Sequence, residues 1–251
     1  MLSGMGFRVW GAALAVACVC SACAGAAAAP VPAVAPAGTA LRDAPVPSAG
    51  PSHPTGFAVP ARPRGGGAYL MARLRHPLHT RFGVVRARTP FGDPVWLPVL
   101  AHHGQRAMVL VPVRPQARPV QISLGTLQLR WTRIRVVVDL ARARLAVLRG
   151  SRTLGAFLIG HGTAATPTPV GRFFVTDRLS FPAGSPYAPL AFALAAHQTH
   201  LAPGWPGGDL VAIHPGAMGA VSNGCIHVDL QALALLRRFV PLGTLVTVRT
   251  D

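Results

Sequence analysis

The chain has 251 residues, 51% of them hydrophobic, and a formal net charge of +17. All 24 basic residues are arginine and all seven acidic ones are aspartate; lysine and glutamate are absent. This charge reads first as a solvated basic surface in an acidic environment, and it favours anionic partners such as anionic lipid or an acidic polymer. The arginines form no long run and accompany no nucleic-acid motif, which argues against nucleic acid as a partner.

Residues 1–23 read as an export signal, with Arg8 ahead of an apolar run from Val9 to Val19 that is short for a stable membrane span. Ser21-Ala22-Cys23 is similar to a lipoprotein processing site, although Cys20 stands where that pattern usually has Leu. Cys23 is therefore a lipidation candidate, and the N-terminus the expected means of membrane association. Simple secretion or an uncleaved anchor is the alternative. Residues 24–65 are rich in Ala, Pro, Gly and Ser. Prolines at this density prevent regular helix or sheet, so a disordered linker that supplies reach is expected.

Residues 66–130 show short β-runs separated by turn residues, at Tyr69–Leu74, Gly83–Arg88, Val95–Leu100 and Met108–Val113. Runs of this length and spacing predict a small β-barrel. The stretch from Thr89-Pro90-Phe91-Gly92 through Trp96 to Val99 resembles the SH3-like barrels that precede catalytic domains in some bacterial wall enzymes. Phe91 and Trp96 read as core residues of that module, with ligand binding as the sharper alternative.

From residue 131 to 251 the pattern changes. Ile134, Val136 and Val138 alternate with Arg135, Val137 and Asp139, as in a half-buried strand. Leu145–Leu148, Ala156–Ile159, Phe173–Thr176 and Leu245–Val248 read as further strands. One helix is predicted over Leu230–Phe239, with Asp229 as N-cap, Arg237 and Arg238 at the cation-favouring end, and Pro241 beyond it. The fold class expected is mainly β, with one or two short helices.

Three of the four cysteines, Cys18, Cys20 and Cys23, lie in or beside the leader. Cys225 is the one thiol of the folded body, eleven residues after His214 and within Ser222-Asn223-Gly224-Cys225-Ile226-His227. An odd cysteine in an exported chain suggests a reactive thiol. A cysteine nucleophile needs a base, donors for the oxyanion and close access for substrate. His214 is the candidate base, the Asn223–Cys225 backbone offers candidate donors, and Gly224 allows close approach. On these residues alone a buried, inert cysteine and an unrelated histidine remain open. A metal site of His214, Cys225, His227 and Asp229 is disfavoured because Cys-x-His-x-Asp is not a common ligand spacing.

Several segments in order resemble the YkuD-type L,D-transpeptidase catalytic domain of bacterial cell-wall synthesis. These are Val136–Leu140, Arg144–Val147, Gly160 with Thr166-Pro167-Thr168-Pro169-Val170-Gly171-Arg172-Phe173, Tyr187–Leu194, Ala212-Ile213-His214 and Ser222–Ile226. The resemblance implies a mixed β-sandwich over 133–251. It also implies peptidoglycan 3→3 cross-linking through a thioester on Cys225, with His214 as base and later acid. Ser222 would hold the loop or orient His214, and Asn223, Gly224 and Cys225 would frame the oxyanion. Donor and acceptor stem peptides are the implied partners, with no cofactor and no metal required. The cell envelope, at the outer face of the cytoplasmic membrane or in the wall, is the implied location. An L,D-carboxypeptidase using water as acceptor, or a non-catalytic wall-binding lipoprotein, is the alternative.

Four positions depart from the family's usual pattern. Asn223 stands where many members have His, and His227 where Asn or Arg is usual, leaving carboxylate recognition open. Pro215 removes any orienting side chain after His214, and the His214–Ser222 loop is short, which suggests a more open cleft. His227, His197, Tyr187 and Trp205 are candidate substrate contacts, the last two with Phe181 in a segment that could cover the cleft. His161 reads as structural.

Overall fold

The computed structural model describes residues 67–250 apart from 126, 202, 203, 206 and 207. The leader, the linker and Cys23 lie outside the described residues. The architecture is mainly β, as expected, and contains one helix among the described residues.

The first part of the described chain forms β1 (Tyr69–Arg73), β2 (Leu78–Thr80), β3 (Gly83–Val85), β4 (Trp96–His103), β5 (Arg106–Val111), β6 (Arg118–Ser123) and β7 (Gln128–Thr132). Five of these make an antiparallel sheet in the order β6-β5-β4-β1-β7, and β2 and β3 form a separate hairpin. The strand count fits a small β module. The ladder ends at β6 and β7, which do not pair with each other, and this strand order does not by itself establish an SH3-like barrel. Four of the expected runs fall on β1, β3, β4 and β5. The two edge strands were not foreseen, because each buries at most one side chain and lacks the alternation that signals a half-buried strand.

The remaining strands are β8 (Ile134–Asp139), β9 (Arg144–Arg149), β10 (Arg152–Leu158), β11 (Gly160–Gly162), β12 (Gly171–Ser180), β13 (Leu190–His197), β14 (Leu210–Pro215), β15 (Gly219–Ser222), β16 (Ile226–Val228) and β17 (Leu245–Arg249). They form one sheet in the order β10-β9-β8-β17-β12-β13-β14-β16-β11-β15. Both halves of this order contribute to one core. Val136, Val147 and Val246 from one half meet Phe192, Ile213 and Ile226 from the other, so the sheet curls around its own apolar face.

Helix α1 (Leu230–Phe239) closes that core with Ala232, Leu233 and Leu236. Asp229 caps it as expected, its Oδ1 accepting from the Ala232 N–H at 2.7 Å. The two sheets also pack on each other. Phe174, Ala195 and Leu245 join the core of the five-stranded sheet. The loop after β3 contributes polar clamps: Thr89 Oγ1 donates to Asp177 Oδ1, and the Arg178 N–H donates to Asp93 Oδ2 at 3.0 Å. Trp96 is buried, in line with its core reading, but Phe91 sits at the exposed tip of this loop.

Candidate active site

The site follows from one register. β14 and β16 run parallel, pairing Ile213 with Ile226 and His214 with His227. One step back along the same ladder brings Cys225 beside Ala212, whose backbone hydrogen-bonds the thiol. Side chains two apart on a strand share a face, so His214, Cys225 and His227 all point the same way. Rise and strand spacing put the Cys225 and His214 Cα atoms roughly 8 Å apart on the diagonal, within reach of two inward-leaning side chains.

His214 is buried. Its Nδ1 lies 2.8 Å from the carbonyl oxygen of Pro215. A carbonyl only accepts, so in the neutral ring Nδ1 carries the proton and Nε2 keeps its lone pair. The orienting group after His214 is thus a backbone carbonyl, which proline retains, and no side chain at residue 215 is needed. Tyr187 meets the imidazole edge-on with centroids 4.9 Å apart, and the His227 ring lies 4.7 Å from it. Burial lowers the His214 pKa to about 4, with His227 adding to the effect, against the opposing pull of the Pro215 and Pro186 carbonyls. Burial also pushes the Cys225 thiol up, opposed by its backbone hydrogen bond to Ala212. Both shifts favour a resting pair of neutral thiol and neutral imidazole.

The Ser222–Cys225 turn is held from three directions. Ser222 Oγ donates to the carbonyl of Cys225 at 2.6 Å and accepts the Gly224 N–H at 3.2 Å. Ser222 therefore braces the loop, and its side chain is not directed at His214. Thr166 Oγ1 donates to the Ser222 carbonyl at 3.0 Å and lies 3.4 Å from Asn223 Oδ1. Gln198 Nε2 donates to the carbonyls of Pro167 at 2.8 Å and Asn223 at 3.3 Å. Gly224 has φ +103°, and a Cβ there would meet Gln198 Nε2 at 2.4 Å. The Gly224 N–H is committed to Ser222. Among the described residues, no hydrogen bond from the Asn223 or Cys225 N–H to a protein group is seen outside the strand ladders.

The Thr166-Pro167-Thr168-Pro169 stretch acts as a frame for this turn. Thr168 Oγ1 accepts the Gly162 N–H at 2.8 Å, and a Cβ on Gly162 would come within 2.2 Å of the Thr166 carbonyl. The role of Gln198 was not foreseen: nothing local in Ala196-His197-Gln198-Thr199 marks a residue that reaches a loop 25 positions away.

The other candidates are distributed as follows. Tyr187 lies against His214, between it and Phe181. His227 is half-buried and its Nδ1 is 2.9 Å from the Ala217 carbonyl. His197 turns towards Asp209, Nδ1 to Oδ1 at 3.1 Å, and its N–H donates to Pro115 of the five-stranded module at 2.9 Å. These contacts make it part of the junction between the sheets. Trp205 is exposed, its indole N–H donating to the Gly208 carbonyl at 3.1 Å. His161 Nδ1 stays local, 2.9 Å from the Gly162 carbonyl.

The family model described as the L,D-transpeptidase catalytic domain, YkuD, matches residues 133–248. Solved structures similar to this chain include L,D-transpeptidase 1 of Mycobacterium tuberculosis, at 19% identity over 72% of this chain and 86% of that one, with a TM-score of 0.37. The L,D-transpeptidase from Mycobacterium smegmatis matches at 18% identity over 74% and 93%, with a TM-score of 0.38. Bd1075 of Bdellovibrio bacteriovorus matches at 21% identity over 47% of this chain and 48% of that one, with a TM-score of 0.38. The chain thus spans about half the length of the Bdellovibrio protein. A search of curated proteins found no match.

Proposed function

We propose, from the premise that residues 133–248 are a YkuD L,D-transpeptidase catalytic domain, that this protein is an exported peptidoglycan L,D-transpeptidase that forms 3→3 cross-links. The observation that carries the chemistry is the β14–β16 register, which sets the free thiol of Cys225 on one face with the oriented, neutral imidazole of His214.

His214 Nε2 takes the thiol proton as Cys225 Sγ attacks the carbonyl joining meso-diaminopimelate to the terminal D-Ala of a tetrapeptide stem. The C–S bond forms, and the N–H groups of Asn223 and Cys225 meet the oxyanion. The imidazolium then passes its proton to the departing D-Ala amine as the C–N bond breaks, leaving a thioester on Cys225. A side-chain amine of a second stem attacks the thioester, gives its proton to His214 and releases the thiolate, which recovers that proton. The Pro215 and Pro186 carbonyls favour the imidazolium during both transfers. Burial keeps the ground state neutral, so charge develops only as the sulfur attacks.

Export rests on the leader, and membrane attachment on Cys23. The mass of the mature N-terminus tests both: an N-acyl diacylglyceryl Cys23 supports anchoring, and retention of Met1 in the cell-derived protein overturns export with cleavage. Activity is tested by incubating the purified protein with a disaccharide-tetrapeptide and analysing products by mass spectrometry. The expected product is a cross-linked dimer with one D-Ala released per bond. Tripeptide without dimer assigns the water-accepting carboxypeptidase reaction instead. If folded protein gives neither product, the catalytic reading is overturned.

A further inference from the structure

We propose that His227 is a positioning residue for His214, which braces the base from the side and ties down the short turn that connects the two histidines to Ser222. The inference deepens the catalytic reading above and rests on it. Three observations carry it. The His227 ring lies against His214 with centroids 4.7 Å apart and planes inclined by 60°. Its Nδ1 is 2.9 Å from the Ala217 carbonyl, while His214 Nδ1 is 2.8 Å from the Pro215 carbonyl, so both imidazoles are fastened to the same turn. The turn is also shaped around the ring: a Cβ on Gly216 would come within 2.6 Å of His227 Cγ and Nδ1.

Neighbouring strands support this arrangement. His227 pairs with Gly160 of β11, where a Cβ would come within 2.9 Å of His227 Cβ and 2.0 Å of the Ala217 carbonyl. Glycines at 160 and 216 therefore leave the space that the imidazole and its turn occupy. The Ala217 carbonyl assigns the proton of neutral His227 to Nδ1, as Pro215 does for His214. With that nitrogen engaged, the ring acts through its face and volume against His214. The titratable rings against His214 are His227 and Tyr187, and Cys225 lies on the same strand face. Only His227 combines ring contact with a hydrogen bond to the turn that orients the base. His227 is also a candidate substrate contact, and the experiment below separates the two roles.

The test compares wild type with His227→Ala, His227→Phe and His227→Asn in the full chain. Three quantities are read: the His214 imidazole titration by ¹⁵N NMR, the pH dependence of Cys225 alkylation by iodoacetamide, and kcat and KM on the disaccharide-tetrapeptide. His227→Ala is expected to raise the pH at which His214 titrates and to lower kcat roughly tenfold to a hundredfold with little change in KM. His227→Phe, which keeps the ring contact, is expected to recover more of kcat than His227→Asn, and it carries the test if the Ala variant fails to fold. A rise in KM with kcat, His214 titration and alkylation unchanged would make His227 a substrate contact and overturn the proposal. An inactive wild type would remove the proposed function, while the NMR and alkylation profiles would still decide whether His227 positions His214.

Discussion

Gln198 and Asn223 are joined beside the nucleophile turn, the Gln198 side-chain amide donating to the Asn223 carbonyl at 3.3 Å and to the Pro167 carbonyl at 2.8 Å. One buried amide thereby ties the Thr166–Pro169 stretch to the nucleophile turn. Gln198→Ala leaves both carbonyls without this donor, at a cost of about 1–3 kcal/mol. Urea denaturation should show the loss, and Cys225 acylation should slow by more than the change in folded fraction explains. Unchanged acylation would mean that the turn is held without Gln198.

Gly224→Ala probes the same contact from the other side. The substitution adds a Cβ 2.4 Å from Gln198 Nε2 at a backbone φ of +103°, a region that L side chains rarely adopt. Both effects displace the turn, so turnover should fall at least tenfold while circular dichroism stays native. Wild-type activity in this variant would show that the turn accommodates without Gln198.

The neutral resting pair has a kinetic consequence. His214 is held neutral down to about pH 4, so the acid limb of kcat/KM should lie well below the ordinary imidazole range near pH 6.5. An acid limb centred near 6.5 would show that the base is exposed in solution. His214→Gln and Cys225→Ala should each abolish turnover at every pH.

The same shift acts on stability. Below about pH 6.5 the unfolded chain protonates His214 while the folded one resists until about pH 4, so stability falls as pH falls through that window. The full effect is on the order of 3 kcal/mol. Asp177 works in the opposite sense, because burial raises its carboxyl and folding then gains from protonation as pH falls. Urea titrations at pH 7 and pH 5 on wild type and His214→Gln separate the two. The wild type should lose more stability between these pH values than the variant.

A carbapenem should acylate Cys225, as the family resemblance implies. Intact-mass analysis should show one adduct on wild type and none on Cys225→Ala. An adduct that persists in the variant would place the reactive nucleophile elsewhere.

The sequence was legible where physics is local. Alternating Ile134, Val136 and Val138 announced β8, and Asp229 with its apolar successors announced α1, because side-chain period and capping act within a few residues. The strands β6 and β7 were hidden because each buries at most one side chain, and a strand exposed on both faces carries no such period. The chemistry-bearing residues were also legible: the motif around Cys225, His214 upstream and the Thr166–Phe173 stretch stand out without coordinates. Their roles were less so. Ser222 was expected to serve the loop or the base, and only the fold shows its hydroxyl on the Cys225 carbonyl.

By itself, then, the sequence determined which groups are present: one thiol in the folded body, a partner imidazole and a turn with glycine where substrate must approach. Tertiary structure decided how they meet. The parallel pairing of β14 with β16 sets Cys225, His214 and His227 on one face, and a one-residue slip of β16 would turn Cys225 and His227 away from His214. Register of that kind is set by packing across the whole curled sheet, as is the reach of Gln198 to Asn223, so neither could be read from the residues that take part.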